Sequence, residues 1–126
     1  MTPVPANIAA SLLCSFLAGQ RIDAIVEKRA QADLESALTA TGWRFSREHR
    51  LSDRDIPDFL VKVEGVSVVV ELKIRAQRKR IFRQLERYAL HESVDAVVLL
   101  TGTAMQLPPE INGKPARVAS LGAGWL

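Results

Sequence analysis

Val94 to Leu100 reads Val-Asp-Ala-Val-Val-Leu-Leu, a nearly unbroken aliphatic run of strand length. Such a run has no solvent face, so it belongs in the middle of a sheet covered on both sides. The cover must come from the helical segments. From Gln20 to about Ala40, Ile22, Val26, Ala30, Leu34, Ala37 and Leu38 fall on one helical face, and Gly42 is a C-terminal stop signal. Residues 78 to 92 keep the same period through Ile81, Phe82, Leu85, Tyr88 and Ala89. Between these helices, Trp43 to Leu51 reads as a first strand, followed by the polar turn Ser52 to Asp55. Two further strands, Ile56 to Val63 and Val66 to Lys73, meet at Glu64-Gly65 in a hairpin. Beyond the aliphatic run, Pro108-Pro109 interrupts the chain, Asn112-Gly113 makes a turn, and Ala116 to Leu121 fits a short edge strand. The order is helix, three strands, helix, strand, weak strand: an α/β chain with a mixed sheet and helices against it.

At 126 residues the chain holds one core and is too short for two, since single domains cluster near roughly 100 to 150 residues. With 48% apolar and 25% charged residues it has ordinary globular usage, which excludes a disordered tail or a repeat array. A single cysteine, Cys14, allows no internal disulfide, and two histidines offer no structural zinc cluster, so a reducing, cytoplasmic setting is expected. Residues 1 to 20 carry no charged side chain and include the apolar run Ile8 to Ala18. The run lacks the basic n-region of a secretory signal and falls short of the ~20 apolar residues of a membrane span. It is expected to be an N-terminal helical arm preceding a domain over residues 21 to 126. With Ile8, Leu12, Leu13, Phe16 and Leu17 it has hardly any polar face, which predicts a contact to a second subunit in a homodimer, the alternative being an arm folded back on its own core.

Net charge is only +3, but its distribution is uneven. Between Lys73 and Arg87 stand Lys73, Arg75, Arg78, Lys79, Arg80, Arg83 and Arg87 against the single acid Glu86. A surface of that density attracts phosphate backbones. The plainer alternative is a solvated helix face.

The hairpin allows its register to be counted. With Glu64-Gly65 as a two-residue turn, Val63 pairs with Val66, and counting outward sets Asp58 opposite Glu71. Residues directly opposite have Cβ atoms about 5 Å apart, where like charges destabilise the pair. Alternation puts Lys73 on the face of Glu71, and Val66, Val68, Val70 and Leu72 on the other with Phe59, Val61 and Val63. Two carboxylates and an ammonium thus converge at one end of an otherwise apolar hairpin. A salt bridge from Lys73 or a nearby Arg is one compensation, worth at most about 1 kcal/mol at a surface. A hard divalent cation, Mg²⁺ or Mn²⁺, is the better one, because oxygen ligands at this spacing suit it. On the first helix Glu27 falls between Leu34 and Leu38 inside the apolar stripe, and an inward carboxylate needs a partner. Asp23 also falls there, in a first turn where the helix dipole favours an acid.

Pro57-Asp58, then twelve residues, then Glu71-Leu72-Lys73, with Glu27 on the helix before and a basic helix after, resembles the PD-(D/E)XK nuclease superfamily. The likeness covers roughly residues 22 to 101. Gln84 and Tyr88, four apart on the second helix, resemble the glutamine and tyrosine motif of RecB-type members, although Tyr88 fits the core better than the site. The compact length is similar to phage-type endonucleases and Holliday-junction resolvases. The resemblance implies a restriction-endonuclease-like αβββαβ core and Mg²⁺-dependent hydrolysis of DNA phosphodiesters. In it Asp58, Glu71 and the Leu72 carbonyl would hold the metal, and Glu27 a second metal or one of its waters. Lys73 would orient or activate the attacking water, Gln84 would assist, and Arg75, Arg78, Lys79, Arg80, Arg83 and Arg87 would grip the DNA backbone. The alternatives are a catalytically inactive nucleic-acid-binding or assembly module on the same fold, and an unrelated α/β interaction domain.

Overall fold

The computed structural model describes residues 3 to 125; positions 1, 2 and 126, at the outer ends of the two segments drawn from the sequence, lie outside it. Helices α1 (Ala6–Ala18) and α2 (Glu27–Thr39) precede strands β1 (Arg44–Arg47), β2 (Phe59–Val63) and β3 (Val66–Lys73). Helix α3 (Arg78–Ala89), strands β4 (Ala96–Thr101), β5 (Glu110–Ile111) and β6 (Lys114–Ser120), and a 3₁₀ turn (Ala123–Trp125) follow. The sheet has six strands in the order β1-β2-β3-β4-β6-β5. β1, β2 and β3 form an antiparallel meander, β3, β4 and β6 are parallel, and β5 closes the far edge antiparallel to β6. It is a mixed α/β fold with helices on both faces of the sheet, in the order expected from the sequence.

Alternation along the strands divides the core in two. Phe59, Val61 and Val63 of β2 and Val66, Val68, Val70 and Leu72 of β3 face α1 and α2, where Leu13, Leu17, Leu34 and Leu38 meet them. Leu60, Val69, Val97 and Leu99 face α3 through Ile81, Leu85 and Tyr88. Every residue of β4 is buried, as its aliphatic run requires. Both faces of the central strands thus leave water, so the side chains of the α3 face beyond Val69 have little access to solvent either.

Several boundaries depart from the sequence reading. The first periodic helix begins at Glu27, not Gln20, because Asp23 makes a local turn: its Oδ1 accepts the N–H groups of Ile25 and Val26 at 2.7 Å each. The first strand stops at Arg47, since Glu48 turns into the left-handed region at φ 51°. β2 starts at Phe59 instead of Ile56, with residues 56 to 58 irregular. The α3 helix ends at Ala89, short of residue 92. The strand expected at Ala116 to Leu121 runs from Lys114 to Ser120; its residues Ala116 to Ser120 pair with β4 alone and form an edge, as expected, while β5 covers Lys114 and Pro115. The apolar N-terminal segment folds onto the sheet: Ala9, Ala10, Leu13 and Leu17 are buried in the same cluster as β2, β3, β4 and β6. That contact covers most of the apolar surface expected to seek a second subunit, leaving Ile8 and Leu12 each 46% exposed. Among the described residues no helix is long and apolar enough to cross a membrane.

Candidate active site

Glu64 (φ 49°) and Gly65 (φ 85°) both adopt the left-handed region, the signature of a type I′ hairpin. The turn fixes the register Val63 to Val66 through Phe59 to Val70, so Asp58 comes opposite Glu71 as counted from the sequence. Asp58 itself stands one residue outside β2, and its carboxylate replaces a rung of the ladder: Oδ2 accepts the Leu72 N–H at 2.8 Å. In return the Asp58 N–H donates to Glu71 Oε1 at 3.2 Å, and the Asp58 carbonyl accepts the Glu48 N–H at 2.7 Å. The two acids are therefore held by backbone on both sides.

Glu71 is 2% exposed. Lys73 Nζ lies 3.1 Å from Glu71 Oε2, and the Tyr88 hydroxyl donates to Glu71 Oε1 at 3.4 Å. The salt bridge weighed from the sequence is thus formed, yet it does not neutralise the site. Burial, reinforced by the charge of Asp58, pushes Glu71 up from 4.5 to about 7, although Lys73 and the Asp58 N–H pull the other way. Burial also raises Asp58, with Glu27 and Glu48 adding to it and the Leu72 N–H and Lys73 opposing. Burial, with the charges of Glu71 and Asp58 adding to it, raises the Tyr88 hydroxyl. All three shifts are led by burial, with the neighbouring carboxylates adding to it, so the pocket disfavours the charged acids even with Lys73 beside them. Tyr88 is a core residue by its ring and a site residue by its hydroxyl.

Lys73 opens onto a cleft of about 510 Å³ lined also by Ile25, Glu27, Arg75, Arg80, Gln84 and Arg87. Gln84, Arg80 and Arg87 share this side of α3. Arg78, Lys79 and Arg83 line a separate concavity with Phe82, Glu86 and Met105, so the basic helix divides its charge between two surfaces. Glu27 departs from the inward position expected of it. Its angular position on α2 matches Leu34, but it lies in the first turn, exposed at the cleft and not beneath the sheet. Among the described residues no three His, Cys, Asp or Glu side chains converge as a ready metal cluster; the carboxylate pair is Asp58 and Glu71, with Glu27 near enough to perturb Asp58 only. Leu72 contributes its backbone between the two acids while its side chain is core.

Arg87 is also committed elsewhere. Its Nε lies 3.0 Å from Asp55 Oδ1, and His91 Nε2 lies 2.9 Å from Asp55 Oδ2. Asp55 is buried, which raises its carboxyl, but the hydrogen bonds and charges of His91 and Arg87 outweigh that and hold it below its ordinary value. This clamp ties the loop carrying Asp58 to α3. No spacing in the sequence announced it, since its members are 32 and 36 residues apart.

Comparison with protein-family models, with curated proteins and with solved structures finds no match to this chain.

Proposed function

We propose that the chain is a metal-dependent endonuclease that hydrolyses DNA phosphodiester bonds at Asp58, Glu71 and Lys73. The observation that carries this reading is the pairing of buried Glu71 with half-buried Asp58, two carboxylates opposed by the one ammonium of Lys73 beside a cleft lined by Arg75, Arg80 and Gln84. A paired carboxylate set deficient in positive charge fits a hard divalent cation, Mg²⁺ or Mn²⁺. Asp58 and Glu71 would hold it with help from the Leu72 carbonyl, and Glu27, at the cleft, would serve a second ion. Bound there, such an ion supplies Lewis-acid stabilisation of the charge that gathers on a phosphate under attack.

The chain's own residues supply the rest. Arg75 and Arg80 draw a phosphodiester backbone into the cleft, where Gln84 can hydrogen-bond a phosphate oxygen. Lys73, held by Glu71 and partly open to the cleft, orients the attacking water with its ammonium protons. The water oxygen bonds to phosphorus, the bond to the leaving sugar oxygen breaks, and the water's proton passes to solvent or the leaving oxygen. An inactive nucleic-acid-binding or assembly module on the same fold is the second reading, favoured by the Lys73–Glu71 ion pair and the lack of a third clustered ligand among the described residues.

Cleavage of linear, branched and single-stranded DNA, with and without Mg²⁺, separates the two. The nuclease reading expects Mg²⁺-dependent products from wild type and none from Asp58→Asn; the module reading expects binding indifferent to metal and no products. The reading includes a homodimer, because cutting both strands of a duplex asks for two sites. A monomeric mass in light scattering at micromolar concentration would remove that part.

Charge reversal on α3 should be side-dependent. Arg80 lines the cleft and has no ion-pair partner among the described residues. Arg80→Glu is expected to weaken DNA binding by roughly tenfold or more and to reduce the salt slope by about one. Arg83→Glu, in the neighbouring concavity and outside the cleft lining, is expected to cost less. Equal losses in filter binding across a salt series would place DNA over both surfaces.

A further inference from the structure

Ile25 stands at the lip of the cleft with 86% of its surface exposed, more than any other large apolar residue described. Single exposed apolar side chains are ordinary on protein surfaces. Ile25 differs in how firmly it is held and in what surrounds it.

The turn that presents it is anchored from every side. Asp23 Oδ1 accepts both the Ile25 and the Val26 N–H, and the Asp23 N–H donates to Asp33 Oδ2 at 2.9 Å. Ile22 is buried in the core, and its carbonyl accepts the Trp125 indole N–H at 3.1 Å. Arg21 lies over the Trp125 ring at 5.6 Å, and Gly124 packs against the Gln20 backbone with no room for a Cβ. On the other side, the Val26 carbonyl accepts the Ala30 N–H at the start of α2. An exposed apolar tip on a pinned turn loses little conformational entropy when something packs against it.

The surroundings narrow the occupant. Arg75 and Arg80, which have no ion-pair partner among the described residues, line the same cleft as Lys73 and Arg87, which are paired with Glu71 and Asp55, and this unpaired charge at the lip suits a polyanion. A sugar-phosphate backbone offers an isoleucine nothing, but the face of a base does. Apolar side chains that enter a base stack must break it, at a cost of a few kcal/mol per step, and that cost is smallest where pairing or stacking is already interrupted. From this geometry we infer that Ile25 is a wedge: it packs against bases at a branch, nick or mismatch and so selects interrupted duplexes over continuous ones. The inference rests on the cleft being a nucleic-acid site, as proposed above.

The test uses the full chain in EDTA, so that binding is read without cleavage. Two duplexes of equal length are compared, one continuous and one with a central mismatch, each carrying 2-aminopurine beside the central step. Wild type is expected to prefer the mismatched duplex by roughly tenfold and to raise its fluorescence by unstacking. Ile25→Ser should lose the preference and the fluorescence rise, while keeping its affinity for the continuous duplex and its salt slope; Ile25→Leu should restore both. Ile25 is so exposed that unfolding is not expected, and matching melting temperatures check this. Preference and fluorescence retained by Ile25→Ser would overturn the wedge alone, as would binding by wild type without preference. A change in oligomeric mass on Ile25→Ser, with DNA binding unaltered, would make Ile25 a protein contact and also overturn it. Absence of binding to either duplex by wild type would overturn the nucleic-acid reading together with the wedge.

Discussion

Asp58→Asn and Glu71→Gln are each expected to abolish the proposed cleavage and at the same time to make the metal-free protein more stable near and above neutral pH. The reason lies in the sign of the shift. Glu71 titrates near 7 in the folded chain against 4.5 ordinarily, so the folded state holds the proton more tightly than the unfolded one. Its contribution to stability is fully present below pH 4.5 and is lost as pH rises to 7 and beyond. On the order of 3 kcal/mol is at stake, by the scale of 1.36 kcal/mol per unit. Glutamine keeps an oxygen for the Asp58 N–H and the Tyr88 hydroxyl and gives up only the Lys73 contact, a partly open ion pair of about 1 kcal/mol or less. Relief of the buried charge is the larger effect. Asparagine at position 58 likewise keeps an acceptor for the Leu72 N–H. Lys73→Ala should also abolish cleavage but act oppositely on stability, because it removes the cation that opposes both acids. Urea unfolding in EDTA at pH 5 and pH 8 decides this: the wild-type midpoint should fall between the two, that of Glu71→Gln should stay flat, and Mg²⁺ should restore wild type at pH 8 by binding only the folded state. A flat wild-type profile would show that the acids are not crowded as described.

The parts of this site that were legible in the sequence are those governed by short-range geometry. Two residues of turn between Val63 and Val66 settle the hairpin register, and period-two alternation then sorts Glu71 and Lys73 from Leu72 and Val70. The β4 strand was legible for the same reason: its aliphatic run leaves one placement. What escaped were features in which a side chain overrules the local pattern. Asp23 satisfies backbone N–H groups that a helix would otherwise use, so the periodicity of Ile22 and Val26 continues where the helix does not. Asp58 takes a ladder position with its carboxylate and ends the strand early. Glu27 has the angular position of a core residue and the axial position of a helix end, and a helical wheel records only the first. The charges of α3 read as one basic stripe, although Arg80 lines the cleft beside Lys73 and Arg83 lines the neighbouring concavity with Phe82 and Met105. Contacts between distant segments, such as α1 on β6 or Asp55 on α3, leave no periodic trace at all.

Removing Asp55 should be among the costliest single changes outside the acid pair. Asp55 holds its own turn, with its carbonyl accepting the Leu51 N–H at 2.9 Å and its N–H donating to Ser52 Oγ at 3.1 Å, while its carboxylate grips Arg87 and His91. Asp55→Ala leaves the Arg87 guanidinium and the His91 ring without the carboxylate they share. Breaking a fully buried pair costs about 3 to 5 kcal/mol. The Arg87 side chain is 34% exposed, so water recovers part of that, and about 1 to 3 kcal/mol is the expected loss. Asp58 lies three residues along the same loop, and a displacement of even about 1 Å at a reacting group can cost roughly a hundredfold in rate. Asp55→Asn, which keeps one acceptor oxygen, should fall between Asp55→Ala and wild type in both respects. The pH dependence runs opposite to that of Glu71. The Asp55 carboxyl is held below its ordinary 3.8, so the stability it confers is present above that value and is lost as pH falls through the depressed one. The gap between wild type and Asp55→Ala should therefore be full at pH 7 and close below about pH 4, while the gap between wild type and Glu71→Gln opens toward pH 8. Thermal unfolding of the three proteins from pH 3 to pH 8 reads both arms at once, and an Asp55→Ala gap that persisted undiminished at pH 3 would show that the clamp acts through packing and not through charge.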